Sequence, residues 1–230
     1  MDHVYDIVTF DCYGTLIDWE EGISSAILAA AARAGKTLDR ESVLRAYAEI
    51  EPQVEGETFR PYRAVLAETA SRVAARFGWD LPAQAASFLP ESLPGWRPFP
   101  DTNPALARLT KAGYRLGILS NTDDDLLAAS RQKLTSPFSL VLTAQQLGSY
   151  KPGYRHFEAA RAQLGEARWL HVAQSYFHDV VPAHALCIPV AWINRKRESP
   201  SGTARPDLEF DSLAQLADAL CGLQDSFGAE

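Results

Sequence analysis

The sequence predicts an α/β protein in which a doubly wound parallel sheet carries an inserted helical domain. Three observations predict it. Short, apolar, β-branched runs recur along the chain, at residues 6–10 and then from 115 onward, as buried strands do. Helical stretches separate the later runs, the alternation from which parallel sheets are built. Between Trp19 and Leu93 no strand pattern appears, so that stretch reads as a helical insert. The expected boundaries are 1–17 together with 96–230 for the sheet domain and 18–95 for the helical cap.

Residues 6–10 form the first expected strand, followed by Asp11-Cys-Tyr-Gly-Thr-Leu, where Gly14 supplies a tight turn. Helices are expected over 24–34, closed by Gly35, and over 40–51, stopped by Pro52. A longer amphipathic helix is expected over 59–77, with Tyr62, Leu66, Val73 and Phe77 at helical spacing, and another over 82–89. Beyond the insert, strands are expected at 115–119, 140–142, 169–173 and 190–193, with an edge strand at 209–210. Helices are expected at 102–112, 123–133, 153–163, 180–186 and 212–220.

Composition narrows the function classes. The 230 residues are 47% hydrophobic and 22% charged, an ordinary globular profile. A net charge of −7 without a basic stripe argues against nucleic acid. No apolar run approaches the roughly 20 residues that cross a bilayer. The first ten residues carry Asp2 and Asp6 and lack the blocks of a signal peptide. Cys12, Cys187 and Cys221 have no metal-like spacing and fit free thiols in a reducing cytoplasm.

The notable polar residues fall at strand ends. Asp11 ends the first strand and Ser120 the second, Lys151 follows the third, and Asp179 lies beyond the fourth. Right-handed crossovers bring all four to one edge of the sheet, where ligands bind in such folds. Singly, each reads as a turn, cap or surface residue. Together they read as a cleft for covalent catalysis by an aspartate that a nearby cation keeps ionised.

Asp11-Cys-Tyr-Gly-Thr15, Ser120-Asn121, Lys151-Pro152 and the segment ending at Asp179 resemble the four motifs of the haloacid dehalogenase (HAD) superfamily, and most closely the type II 2-haloacid dehalogenases. The resemblance covers nearly the whole chain and implies a Rossmann-like core with a helical cap. Phosphatases of this superfamily carry a second Asp two residues after the nucleophile, where this chain has Tyr13, and an acidic magnesium ligand where it has Gln174. Both positions point away from a metal, so neither metal nor cofactor is expected.

The implied reaction has two steps. Asp11 displaces halide from C2 of a short 2-haloacid, and water then hydrolyses the Asp11 ester to release a 2-hydroxy acid. On the same resemblance Lys151 orients Asp11, while Thr15 and Ser120 donate hydrogen bonds to it or to substrate. Asp179, with His178, activates the water. Tyr13, Asn121, Arg45, Tyr62, Ser175 and Phe177 are the implied substrate contacts. The expected ligand is a small carboxylic acid. Relatives of this kind are often homodimers, and the apolar cap offers a surface for pairing.

The chain also departs from that pattern. Tyr176 stands at the family's Asn, Phe157 at its Tyr, and Ala46 at the cap Arg, with Arg45 one residue away and Arg60 and Arg63 as other candidates. Trp19 and Trp96 join Tyr13, Tyr62 and Phe177 as aromatic candidates for the pocket wall. Three alternatives stay open: displacement at another activated carbon, such as opening of an azetidine-2-carboxylate-like ring; a magnesium-dependent phosphatase; and a non-catalytic binding protein.

Overall fold

The computed structural model describes residues 4–225. Among them, six strands form one all-parallel sheet: β1 (Ile7–Phe10), β2 (Arg115–Ser120), β3 (Leu140–Thr143), β4 (Trp169–Ala173), β5 (Val190–Ile193) and β6 (Leu208–Phe210). Their order is β3-β2-β1-β4-β5-β6. Every residue of β1, β4 and β5 is buried, as expected for a parallel sheet covered on both faces. The order reverses between β1 and β4, and a crevice opens there beyond the carboxyl ends of the strands.

Between β1 and β2 lie α1 (Trp19–Arg33), α2 (Arg40–Glu55), α3 (Tyr62–Arg76) and α4 (Phe88–Ser92). The sheet is covered by α5 (Thr102–Lys111), α6 (Asp124–Arg131), α7 (Ala144–Leu147), α8 (Arg155–Leu164), α9 (Val181–Ala185) and α10 (Leu213–Asp225). Asp18 and Asp39 cap α1 and α2 by accepting from the N–H groups of Glu21 and Ser42. One apolar cluster runs from Val8 and Phe10 of the sheet through Ile23, Ile27, Leu66 and Val73 of the insert. Each such fully buried aliphatic side chain contributes about 1.5–3 kcal/mol, so apolar packing seats the insert on the sheet.

The expected elements form, with informative differences at their ends. Helix α2 does not stop at Pro52 but runs through it to Glu55. The missing proline N–H costs one helical bond, and the burial of Val54 offsets that loss. Helix α3 begins at Tyr62 rather than residue 59 because Pro61 is its N-cap. Its first N–H groups are satisfied from the sheet domain, where Asp123 accepts from Tyr62 N (2.7 Å) and Arg63 N (3.0 Å). The expected helix at 82–89 is a 3-10 segment, Ala83–Ser87, leading into α4. A π-helical turn, Tyr176–Val180, precedes α9, and α7 was not expected from the sequence.

Candidate active site

Asp11 follows β1 directly and is 7% exposed. Gly14 turns the chain just beyond it at φ +103°. A Cβ there would come within 2.9 Å of Gln174 Oε1, which would have to move aside, and the positive φ is what makes this position one for glycine. The turn brings Thr15 back to Asp11. Thr15 Oγ1 accepts from Gln174 N (2.9 Å), so its own proton goes to Asp11 Oδ2 (2.9 Å).

Lys151 reaches the same carboxylate from beyond β3 and is 1% exposed. Its Nζ donates to Asp11 Oδ1 (2.9 Å), the Leu119 carbonyl (2.9 Å) and Asp179 Oδ1 (2.7 Å), which uses all three of its N–H donors. Asn121 fixes the Lys151 backbone on both sides, accepting from its N–H (2.7 Å) and donating to its carbonyl (2.9 Å).

Asp179 is fully buried, and His171 Nε2 lies 2.9 Å from the same Oδ1. An ionised carboxylate needs a donor there, so Nε2 carries the proton. His171 is braced in turn by Thr9 Oγ1 at its Nδ1 (2.9 Å), and Thr9 accepts from Trp169 Nε1 (2.6 Å). Phe157 packs its ring against His171 at 5.2 Å.

Electrostatics divide the two aspartates. Burial pushes the Asp11 carboxyl above its ordinary value; the Lys151 ammonium and the Thr15 hydroxyl offset part of this, and the Asp179 charge adds to it. Burial acts on Asp179 the same way, but Lys151 and His171 outweigh it and hold that carboxyl well below its ordinary value. For Lys151, burial lowers the pKa and the two aspartates more than restore it, so the ammonium stays charged.

The site opens into a cavity of about 190 Å³. Of the expected site residues, Asp11, Tyr13, Tyr62, Asn121, Lys151, Ser175, His178 and Asp179 line it, with Trp19 and Gln174. Tyr13 is anchored by a 2.9 Å hydrogen bond between its hydroxyl and Ser130. Ser175 Oγ accepts from His178 N and lies 3.1 Å from His178 Nδ1, which sets the ring in the cavity wall.

Two expected positions, Arg45 and Phe177, are corrected, and Ser120 does not make the expected bond to Asp11. Arg45 does not enter the cavity: its side chain is 65% exposed and pairs with Glu41. One residue on a helix is a rotation of about 100°, and the buried neighbour here is Ala46. Phe177 is 52% exposed and walls nothing. Ser120 is buried at the end of β2, yet its Oγ makes no hydrogen bond to Asp11 or to any other group among the described residues. Trp96 belongs to the core and stacks edge-on against Tyr13 at 5.8 Å. Arg60 and Arg63 pair with Glu57 and Asp125 outside the cavity.

The sequence reading missed His171, Glu51 and Glu55. His171 looked like an ordinary strand residue. The two glutamates stand one turn apart on α2 and face the cavity, a spacing visible only once the helix passes Pro52. Burial lifts each carboxyl from 4.5 to about 8.

A magnesium ion of the phosphatase kind does not fit this donor set. The Lys151 ammonium bridges Asp11 and Asp179 at 2.9 and 2.7 Å. The remaining position offers only the Gln174 amide, a weak partner for a hard cation.

The fold and this Asp-Thr-Lys-Asp constellation define a hydrolase. The family description of haloacid dehalogenase-like hydrolases matches residues 5–173, and the chain belongs to that family. It is 29% identical to an (S)-2-haloacid dehalogenase of Pseudomonas sp. strain YL over 229 residues, covering 95% of each chain. It is 34% identical to a glyceraldehyde 3-phosphate phosphatase of Methanothermobacter thermautotrophicus, over 91 residues that cover 38% of this chain and 40% of the other. The structure of L-2-haloacid dehalogenase from Xanthobacter autotrophicus with chloropropionic acid covalently bound is similar in fold, with a TM-score of 0.80, 21% identity, and coverage of 95% of this chain and 99% of that one.

Proposed function

We propose that the protein hydrolyses a carbon–halogen bond next to a carboxylate in short 2-haloacids, through a covalent ester on Asp11. One observation carries this reading: Asp11 is buried at a cavity wall with Lys151 on one carboxylate oxygen and Thr15 on the other. A carboxylate stripped of water and held by fixed donors is oriented for displacement at carbon.

In the first step an Asp11 oxygen attacks C2, the carbon–halogen bond breaks, and halide leaves with the bonding pair. In the second, water adds to the Asp11 carbonyl and the alkyl oxygen departs as the 2-hydroxy acid. Lys151 and Thr15 face the oxygens on which negative charge develops. Asp179 Oδ2 is buried without a hydrogen-bond partner and serves to orient the water. Its depressed pKa makes it a weak proton acceptor. His178, whose Nε2 also lacks a hydrogen-bond partner at the cavity wall, is placed to take the water's proton.

The test is halide release from L- and D-2-chloropropionate and bromoacetate in EDTA, with a phosphate ester plus magnesium alongside. Halide release by wild type and none by Asp11→Asn is the expected result. Phosphate release without halide release would replace this reading with a phosphatase.

A further inference from the structure

The cavity holds more carboxyl groups than its cation can serve. Asp11, Asp179, Glu51 and Glu55 all line it, while Lys151 is spent on the two aspartates and a carbonyl. Among the described residues no arginine lines it. Glu55, 9% exposed, meets only the Asn121 amide at 3.4 Å and His178 Nε2 at 3.4 Å. Glu51 accepts from the Tyr62 hydroxyl at 3.1 Å.

A second observation at the same wall is independent of these acids. Trp19, Tyr47 and Tyr62 present aromatic rings to the cavity, with the Trp19 and Tyr47 rings 5.6 Å apart. The Tyr47 hydroxyl, on a residue 3% exposed, lies beside the Tyr62 hydroxyl and makes no hydrogen bond of good geometry among the described residues. Aromatic faces beside two carboxyl groups that can each give up a proton form a receptor for an organic cation.

We propose that Glu51 and Glu55, with the Trp19–Tyr47 wall, bind a protonated amine, so that the substrate is an ammonium-bearing compound rather than a simple anionic haloacid. This rests on the Asp11 reading and names the substrate class for that site. The amine sits on the cap side of the cavity and places the electrophilic carbon over Asp11. The groups facing the glutamates are Tyr47 on their own helix, Tyr62 on α3, and Asn121, His178 and Lys151 from the sheet domain. Burial keeps both carboxyls protonated up to about pH 8 while the cavity is empty, so an arriving ammonium takes the place of a proton.

The experiment has two arms, both in EDTA. Calorimetry measures binding of propylammonium and of propionate to wild type and to the double variant Glu51→Gln, Glu55→Gln. Glutamine has the shape of the protonated carboxyl, so the variant keeps its packing. Wild type is expected to bind propylammonium at least tenfold more tightly than propionate, and the variant to lose that preference. Turnover of 2-chloropropionate and 3-amino-2-chloropropionate is compared in parallel. The amino compound is expected to have at least a tenfold higher kcat/KM in wild type, and this advantage should fall to parity in the variant. An anion preference that the variant leaves unchanged would overturn the proposal. So would 2-chloropropionate activity that, in a parallel assay without EDTA, appears only with added manganese and is lost in the variant, which would put a metal ion between the carboxylates. Halide release from neither compound defeats the Asp11 reading, while the binding arm still decides this one.

Discussion

Lys151 is the residue on which the site's charge balance turns. It separates two buried carboxylates that would otherwise repel each other at close range, and removing one partner of a buried ion pair costs about 3–5 kcal/mol. Lys151→Met is expected to carry that stability cost and, because it also removes the cation that faces Asp11, to lower turnover by at least about a hundredfold at neutral pH. The sign of the accompanying pH effect follows from Asp11. Lys151 lowers a carboxyl that burial raises, so its loss moves the Asp11 pKa up, and the acid side of the pH–rate profile should shift to higher pH. An unshifted profile would show that Lys151 does not tune Asp11. At this scale the sequence was legible wherever topology did the positioning. Asp11, Lys151 and Asp179 follow strands and converge because parallel strands share a carboxyl edge. Arg45 and Phe177 were misjudged because each depends on the direction of a side chain, which spacing alone does not fix.

Among the elements, α1 and α2 shape the pocket. Gly22 of α1 lies against the Trp96 indole, where an added Cβ would come within 2.4 Å of ring carbons. Trp96 cannot easily move aside, since its Nε1 donates to Ser92 Oγ and its ring stacks on Tyr13. Replacing a helical glycine with alanine gains about 1 kcal/mol of propensity, whereas overpacking costs about 1–3 kcal/mol. Gly22→Ala is accordingly expected to destabilise the protein in denaturant titration; a higher denaturation midpoint would mean that the Trp96 wall yields. Helix α2 shows why part of the site was hidden. Proline normally ends a helix, so the sequence placed Glu55 outside it. Tertiary packing carried the helix one turn further and aligned Glu51 with Glu55. The capping of α3 by Asp123 was equally unreadable, because its partners lie about sixty residues away.

For the whole molecule, alternating strands and helices predicted the doubly wound sheet, and the long strandless stretch predicted the helical insert. Both readings rest on periodicity, which survives in a single sequence. The electrostatics of the cavity do not, since they arise only where the insert closes over the sheet edge. That closure joins an aspartate from beyond β1, a lysine from beyond β3, an aspartate from beyond β4 and two glutamates from α2. No helix among the described residues is long and apolar enough to cross a membrane. The central claim is the Asp11 ester, and one single-turnover experiment in oxygen-18 water, with enzyme in excess over a substrate from which it releases halide, tests it most directly. Mass spectrometry of the peptide containing Asp11 should then show oxygen-18 in the Asp11 carboxylate and ordinary oxygen in the hydroxy product. Oxygen-18 in the product with Asp11 unlabelled would mean that water attacks carbon directly, and would contradict the account.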